Sequence, residues 1–138
     1  MSKEFKNFPL FKSVWLKVKD PDKIALIMVN DDGSEEKLTY TDIFANTNRI
    51  SRALIKAGVS KGDTFSVVMR NHPEFVYSLS AALAIGAIMV PIDPRSKGAK
   101  LSFQINQTKS RGIIISDEFI SSIKEVENDI KGIPVIGV

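Results

Sequence analysis

The sequence predicts an α/β fold: an open, mostly parallel sheet with covering helices, preceded by an amino-terminal helix and a β-hairpin. Three observations predict it. From Asp63 onward strand and helix patterns alternate, four strands to three helices. Those strands are short, continuous and apolar, as expected where both faces of a sheet are covered. Glycine and proline stand at the element boundaries rather than inside them.

Each element follows in order. Phe8, Phe11, Val14, Trp15 and Val18 form a helical stripe, with Pro21 just past its end. KIALIMVN (23–30) is a β-rich run, then Asp31-Asp32-Gly33-Ser34 turns into EEKLTY, which reads as a hairpin with Gly33 free to take positive φ. Thr39 and Asp42 have the spacing of a capping box. Ile43, Ile50, Leu54 and Ala57 then share one face, so a helix is expected over 40–57, stopped by Gly58.

TFSVVMR (64–70) is the first strand of the alternating series. Asn71-His72-Pro73-Glu74 opens a helix with a capping residue, a proline where no amide is needed, and an acid in the positive first turn. That helix runs to about Ile85 and ends at Gly86. Residues 88–92 make the next strand, read as buried, with Pro91 ending its ladder and Pro94 stiffening the exit. A basic helix over 98–108, a strand over 112–116, a helix over 117–128 and a strand over 134–138 complete the series. Connections of this length imply right-handed crossovers.

Composition bounds the function. The 138 residues are 43% hydrophobic and 25% charged, a soluble globular balance and one domain's length. Without cysteine there is no disulfide framework, thiolate chemistry or cysteine–zinc site. MSKEFKNFPLF lacks a signal-peptide core, and the apolar run 78–92 is too short and too broken by Gly86 and Pro91 to span a bilayer. A net charge of +3 does not argue for nucleic acid, and no aromatics are interleaved with basic residues. Charges do segregate. Arg95, Lys97, Lys100, Lys109 and Arg111 are followed by Asp117, Glu118, Glu125, Glu127 and Asp129 with Lys124 alone. Two solvated surfaces of opposite sign explain this, and a basic rim for a phosphate-bearing ligand is the sharper alternative.

A parallel sheet binds ligands beyond the carboxyl ends of its strands, where Arg70-Asn71-His72-Pro73, Pro91-Ile92-Asp93-Pro94-Arg95 and Ser116-Asp117-Glu118 fall. His72, the only histidine, reads as a helix-start residue rather than a catalyst or metal ligand. Asp117 and Glu118 read as a helix start, and Asp93 between prolines as a turn. Ser96-Lys97-Gly98-Ala99-Lys100 has one glycine only, and neither G-x-G-x-x-G nor G-x-x-x-x-G-K-[ST] occurs. No residue is assigned as catalytic, cofactor-binding or metal-binding. The expected fold is a nucleotide-binding architecture without its nucleotide loop.

LTYTDIFANTNRISRALIKAGVSKGD, followed by SVVMRNHPEFVYSLSAALAIGAIMVPIDPR, resembles the amino-terminal region of adenylate-forming enzymes, the acyl-CoA synthetase superfamily. The shared pattern is L-T-Y, a helix ending in G-V-x-x-G-D, a strand, N-x-P-E-F and G-A-x-x-V-P-I-D-P-R, from about Pro21 onward. GAIMVPI-x-x-R with a later SDEF is most similar to acyl-CoA ligases of the crotonobetaine/carnitine-CoA ligase or medium-chain type. The resemblance implies a partial amino-terminal subdomain of the acyl-CoA synthetase fold. Residues 1–138 would be one truncated unit, with helix and hairpin over 1–39 and an α/β unit over 40–138.

For the parent enzyme the resemblance implies ATP, magnesium and coenzyme A. A small carboxylic acid becomes an acyl-adenylate with release of pyrophosphate, and the thiol then displaces AMP. The family's phosphate loop and catalytic lysine match no residue here, so the chain is expected to be inactive alone and to need the remainder of the parent ligase as partner. A cytoplasmic setting, no cofactor in the piece itself, and self-association through an uncovered sheet edge are further expectations. The competing readings are a stand-alone, non-catalytic α/β binding module and a peripheral membrane protein.

Overall fold

The computed structural model describes residues 17–138, so the helical stripe predicted from Phe8 to Val18 lies outside the described residues apart from its end. Strands β1 (Ile24–Val29) and β2 (Glu35–Thr39) form the expected antiparallel hairpin. Gly33 closes its turn at φ +81°, a conformation open to glycine at no steric cost.

Helix α1 (Tyr40–Lys56) starts where the capping box puts it. The Thr39 hydroxyl accepts from the Asp42 amide at 3.1 Å, and the Asp42 carboxylate accepts from the Thr39 amide at 2.8 Å. Two orphan amides are thereby satisfied, worth about 1 kcal/mol against an uncapped start. One face buries Ile43, Ile50 and Leu54, and Gly58 beyond its end has φ +89°.

The parallel sheet contains β3 (Thr64–Val68), β4 (Ile88–Ile92), β5 (Ile113–Ile115) and β6 (Val135–Gly137), in spatial order β4-β3-β5-β6. Helix α2 (Pro73–Ile85) joins β3 to β4, and α3 (Gly98–Gln107) joins β4 to β5. A 3-10 turn (Asp117–Phe119) and α4 (Ile120–Glu125) lead to β6. The chain steps outward from β3 to β4, then back across β3 to β5. Crossovers of one hand must therefore put α2 and α3 on opposite faces of the sheet.

The core is divided accordingly. Phe65, Val67 and Ile114 point to the face packed by α1 and α2, together with Leu54, Tyr77 and Ala81. Val68, Ile113 and Ile115 point to the other, with Leu101 and Ile105 of α3 and Ile123 of α4. The strict alternation of neighbouring strand residues between the two clusters is the two-residue period of a strand buried on both faces.

Two elements depart from the sequence reading. Strand β4 is an edge strand, with Ile88 53% exposed, and it runs through Pro91 to Ile92, Pro91 pairing in register with Val67. An edge position tolerates a residue with no amide to donate, so Pro91 does not end the ladder. The helix expected over 117–128 is a 3-10 turn plus the short α4; beyond Glu125 successive turns carry Val126 and Ile130 into the core. The apolar spacing of Ile123, Val126 and Ile130 is kept while the helical ladder is not.

Candidate functional site

In an open α/β sheet the natural crevice opens where neighbouring strands send their connections in opposite directions. Here that point lies between β3 and β5, which pair in parallel through Ser66–Ile113, Val67–Ile114 and Val68–Ile115. Arg70 follows the end of β3, and Glu118 follows the end of β5. Arg70 Nε lies 3.6 Å from Glu118 Oε2, and the guanidinium carbon sits 5.7 Å from the centre of the Phe119 ring. One side chain of the first exit thus spans to two of the second. The crevice mouth is bridged by protein groups.

His72 is the N-cap of α2, but its side chain makes no capping hydrogen bond and is 62% exposed. Its Nδ1 instead contacts Glu74 Oε2, and Glu74 Oε1 lies 3.9 Å from Arg49 on α1. Glu74 therefore ties the start of α2 to α1 while sitting in the favourable positive end of its own helix. This cluster is on the α1 side of the sheet, with His72 held against Glu74. Behind it the buried Tyr77 hydroxyl is pushed up from its usual range by desolvation first and the Glu74 charge second.

The Pro91–Arg95 corner is built around Asp93. Its carboxylate accepts from the Arg95 amide at 2.9 Å, from Nε at 3.0 Å and from Nη2 at 2.8 Å. These bonds, the Arg95 side chain foremost, lower the Asp93 carboxyl to about 2, and the same pairing raises the Arg95 guanidinium. Asp93 is thus a turn residue whose two oxygens are consumed by Arg95, as the proline–aspartate–proline context predicts.

The basic run does not form one rim. Arg95, Lys97 and Lys100 flank the start of α3 at the carboxyl ends of the strands. Lys109 and Arg111 follow the other end of this ten-residue helix, about 15 Å away. Arg111 there lies 4.0 Å from Asp63. Cations beyond a helix C-terminus complement its negative end, which accounts for that pair without a ligand. Among the described residues, Lys109 is the one non-glycine residue with positive φ, at 54°.

A buried polar chain lies at the same end of the sheet. The Thr64 hydroxyl donates to the Thr108 carbonyl at 2.6 Å, and the Ser110 hydroxyl lies 2.6 Å from that of Ser66 and 3.0 Å from that of Thr108. These groups satisfy one another and fasten the α3–β5 loop under β3. Sequence reasoning passed over them because serine and threonine inside apolar runs carry no spacing signal. Among the described residues no group of three or more His, Asp or Glu side chains is placed to hold a metal ion, and no helix is long and apolar enough to cross a membrane.

Residues 15–136 match the model of the family described as AMP-binding enzyme. The chain is 31% identical over 103 residues to 4-coumarate–CoA ligase CCL1 of Humulus lupulus, covering 75% of this chain and 19% of that protein. It is 29% identical over 108 residues to crotonobetaine/carnitine–CoA ligase of Salmonella typhimurium, covering 78% of this chain and 21% of that one. The chain therefore spans about a fifth of the length of the curated relatives it matches. In structure it superposes on the acyl-CoA synthetase of Brucella canis with a TM-score of 0.76 at 23% identity, over 87% of this chain and 22% of that one. At that identity the likeness speaks for the fold.

Proposed function

The chain belongs to the family of AMP-binding enzymes, and from that membership we propose that it forms the amino-terminal part of an ATP-dependent acid–CoA ligase. The observation that carries this reading is the family match across residues 15–136, taken with relatives whose names are acid–CoA ligases. The crotonobetaine/carnitine type is the finer assignment, supported by the 29% identity over 108 residues.

The described residues do not fit a nucleoside triphosphate. There is no glycine-rich cradle of successive amides, the mouth between β3 and β5 is bridged by Arg70 and Glu118, and Asp93 is spent on Arg95. No step of the reaction is therefore assigned to a residue of this chain, and no residue is assigned to ATP, magnesium or coenzyme A. Its contribution is a rigid α/β scaffold, and alone it is inactive. The remainder of the ligase is its partner, a small carboxylic acid the substrate of the whole, and the cytoplasm its setting. Self-association through a sheet edge belongs to the same reading; β4 presents that edge with Ile88 exposed.

The test is a transplant. The segment of the Salmonella typhimurium crotonobetaine/carnitine–CoA ligase that matches this chain is replaced by this chain, and acid- and CoA-dependent AMP release is measured. The reading expects a folded chimera that retains activity. A chimera that folds to native-like stability but releases no AMP contradicts it.

A further inference from the structure

We propose, resting on the function given above, that β1 takes up a further strand from the remainder of the ligase, its open edge being the seam where that partner joins this chain. β1 and β2 form a two-stranded sheet, and among the described residues no strand pairs with β1 on its other side. Met28 lies opposite Glu36, and the Asn30 amide donates to the Ser34 carbonyl at 2.9 Å. Bonded positions alternate in an antiparallel ladder, so Ile27 and Val29 turn their amides and carbonyls away from β2. Among the described residues those groups have no partner.

β1 is also the edge with the fullest ladder. Its six residues, IALIMV, include neither a proline nor a charge. β2 carries Glu35, Glu36 and Lys37, and β6 is three residues long. In β4 the Ile88 amide turns inward to the Asp63 carbonyl, which puts Pro91 at an outward position with no amide to offer. Charge, shortness and proline are the usual guards of an open edge, and β1 has none of them.

The outer face of the hairpin agrees with this. Ile27 is 48% and Val29 64% exposed, whereas Lys37 and Glu35 opposite them pair with each other at 3.3 Å. That face is therefore charged on β2 and apolar on β1, towards the open edge. A hairpin alone is marginal in water and gains stability from a third strand.

An open backbone ladder calls for a strand, and two sources could supply it. A second copy adding its β1 antiparallel about a two-fold axis would keep both outer faces on one side, leaving Ile27 and Val29 of each copy uncovered. The matched segment makes up 19% and 21% of the two ligases compared, so most of such an enzyme lies outside it. A body of that size can provide both the strand and a layer over the apolar face.

The experiment is hydrogen–deuterium exchange with mass spectrometry on residues 24–30, in the 138-residue chain alone and in the chimera with the Salmonella typhimurium ligase. In the chain alone the Ile27 and Val29 amides are expected to exchange rapidly. In an active chimera both slow by about tenfold or more, as paired strand amides do. Ile27→Pro removes an outward amide only, so the chain alone keeps its thermal midpoint while the chimera loses acid-dependent AMP release. An active chimera whose 24–30 segment exchanges as fast as in the chain alone overturns the proposal and leaves the ligase reading intact. An Ile27→Pro chimera as active and as stable as its parent overturns it too. Protection already present in the chain alone overturns it, in favour of a second copy where sedimentation shows a dimer. A folded chimera that releases no AMP overturns the ligase reading and this proposal with it.

Discussion

Arg70 and Glu118 are joined across the exits of β3 and β5, the Arg70 Nε 3.6 Å from Glu118 Oε2, with Phe119 under the same guanidinium. These strands lie side by side although the chain visits β4 and α3 between them. The pair therefore spans the point where neighbouring strands send their connections in opposite directions, the place where an α/β sheet usually takes its ligand.

The bridge is a surface ion pair and contributes little stability. Both side chains are well exposed, at 69% and 49%, so Glu118→Gln is expected to cost ~0.5 kcal/mol in urea unfolding. Arg70→Ala also removes the contact with Phe119 and should cost roughly 1 kcal/mol. A loss several times larger in either variant would mean that the pair supports the core.

The Asp93 corner makes a pH prediction. Its carboxyl, held at about 2 by the Arg95 bonds, is more acidic folded than unfolded, where about 3.9 is usual. A group lowered in the folded state stabilises above the unfolded value, and that contribution fades as pH falls from about 4 towards 2. Carboxyl NMR should show Asp93 titrating near 2 in the wild type and distinctly higher in Arg95→Ala, which loses the guanidinium bonds but keeps the amide bond. An Asp93 that titrates normally in the wild type refutes the corner as described.

Lys109 has a left-handed backbone, φ 54°, just past the end of α3, where the Ser110 amide reaches back to the Ile105 carbonyl at 3.2 Å. That is the position glycine normally fills at a helix end. Lys109→Gly should relieve the crowding and stabilise the chain by about 1 kcal/mol in urea or thermal unfolding. A destabilised Lys109→Gly would show that the lysine side chain, rather than its backbone, matters there.

Local chemistry made much of the fold legible. The Thr39–Asp42 box placed the start of α1, Gly86 at φ 72° ended α2, and the strand–helix alternation gave the parallel sheet. Position within the sheet was not legible. IMVPI reads alike as a central or an edge strand, and only the order β4-β3-β5-β6 reveals that Pro91 sits where its missing amide is harmless. The end of α4 was lost for a related reason: the spacing of Ile123, Val126 and Ile130 serves a string of turns as well as a helix.

The site followed the same division. The residues of the strand exits were identifiable; Asp93 makes its turn with Arg95, whereas His72 at the start of α2 makes no capping bond and contacts Glu74 instead. The Arg70–Glu118 bridge was invisible, because nothing in either segment announces that β3 and β5 are neighbours. The basic run misled in the opposite direction. Contiguous in sequence, it is divided by α3 into two groups at opposite ends of the sheet.

The proposed function makes this chain part of the scaffold of an acid–CoA ligase, with the phosphate chemistry supplied elsewhere in that enzyme. Acid-dependent exchange of labelled pyrophosphate into ATP, measured on the purified 138-residue chain with a panel of small carboxylic acids, tests it directly. The expected result is no exchange above the protein-free blank with any acid. Exchange that depends on both the acid and the chain would contradict it.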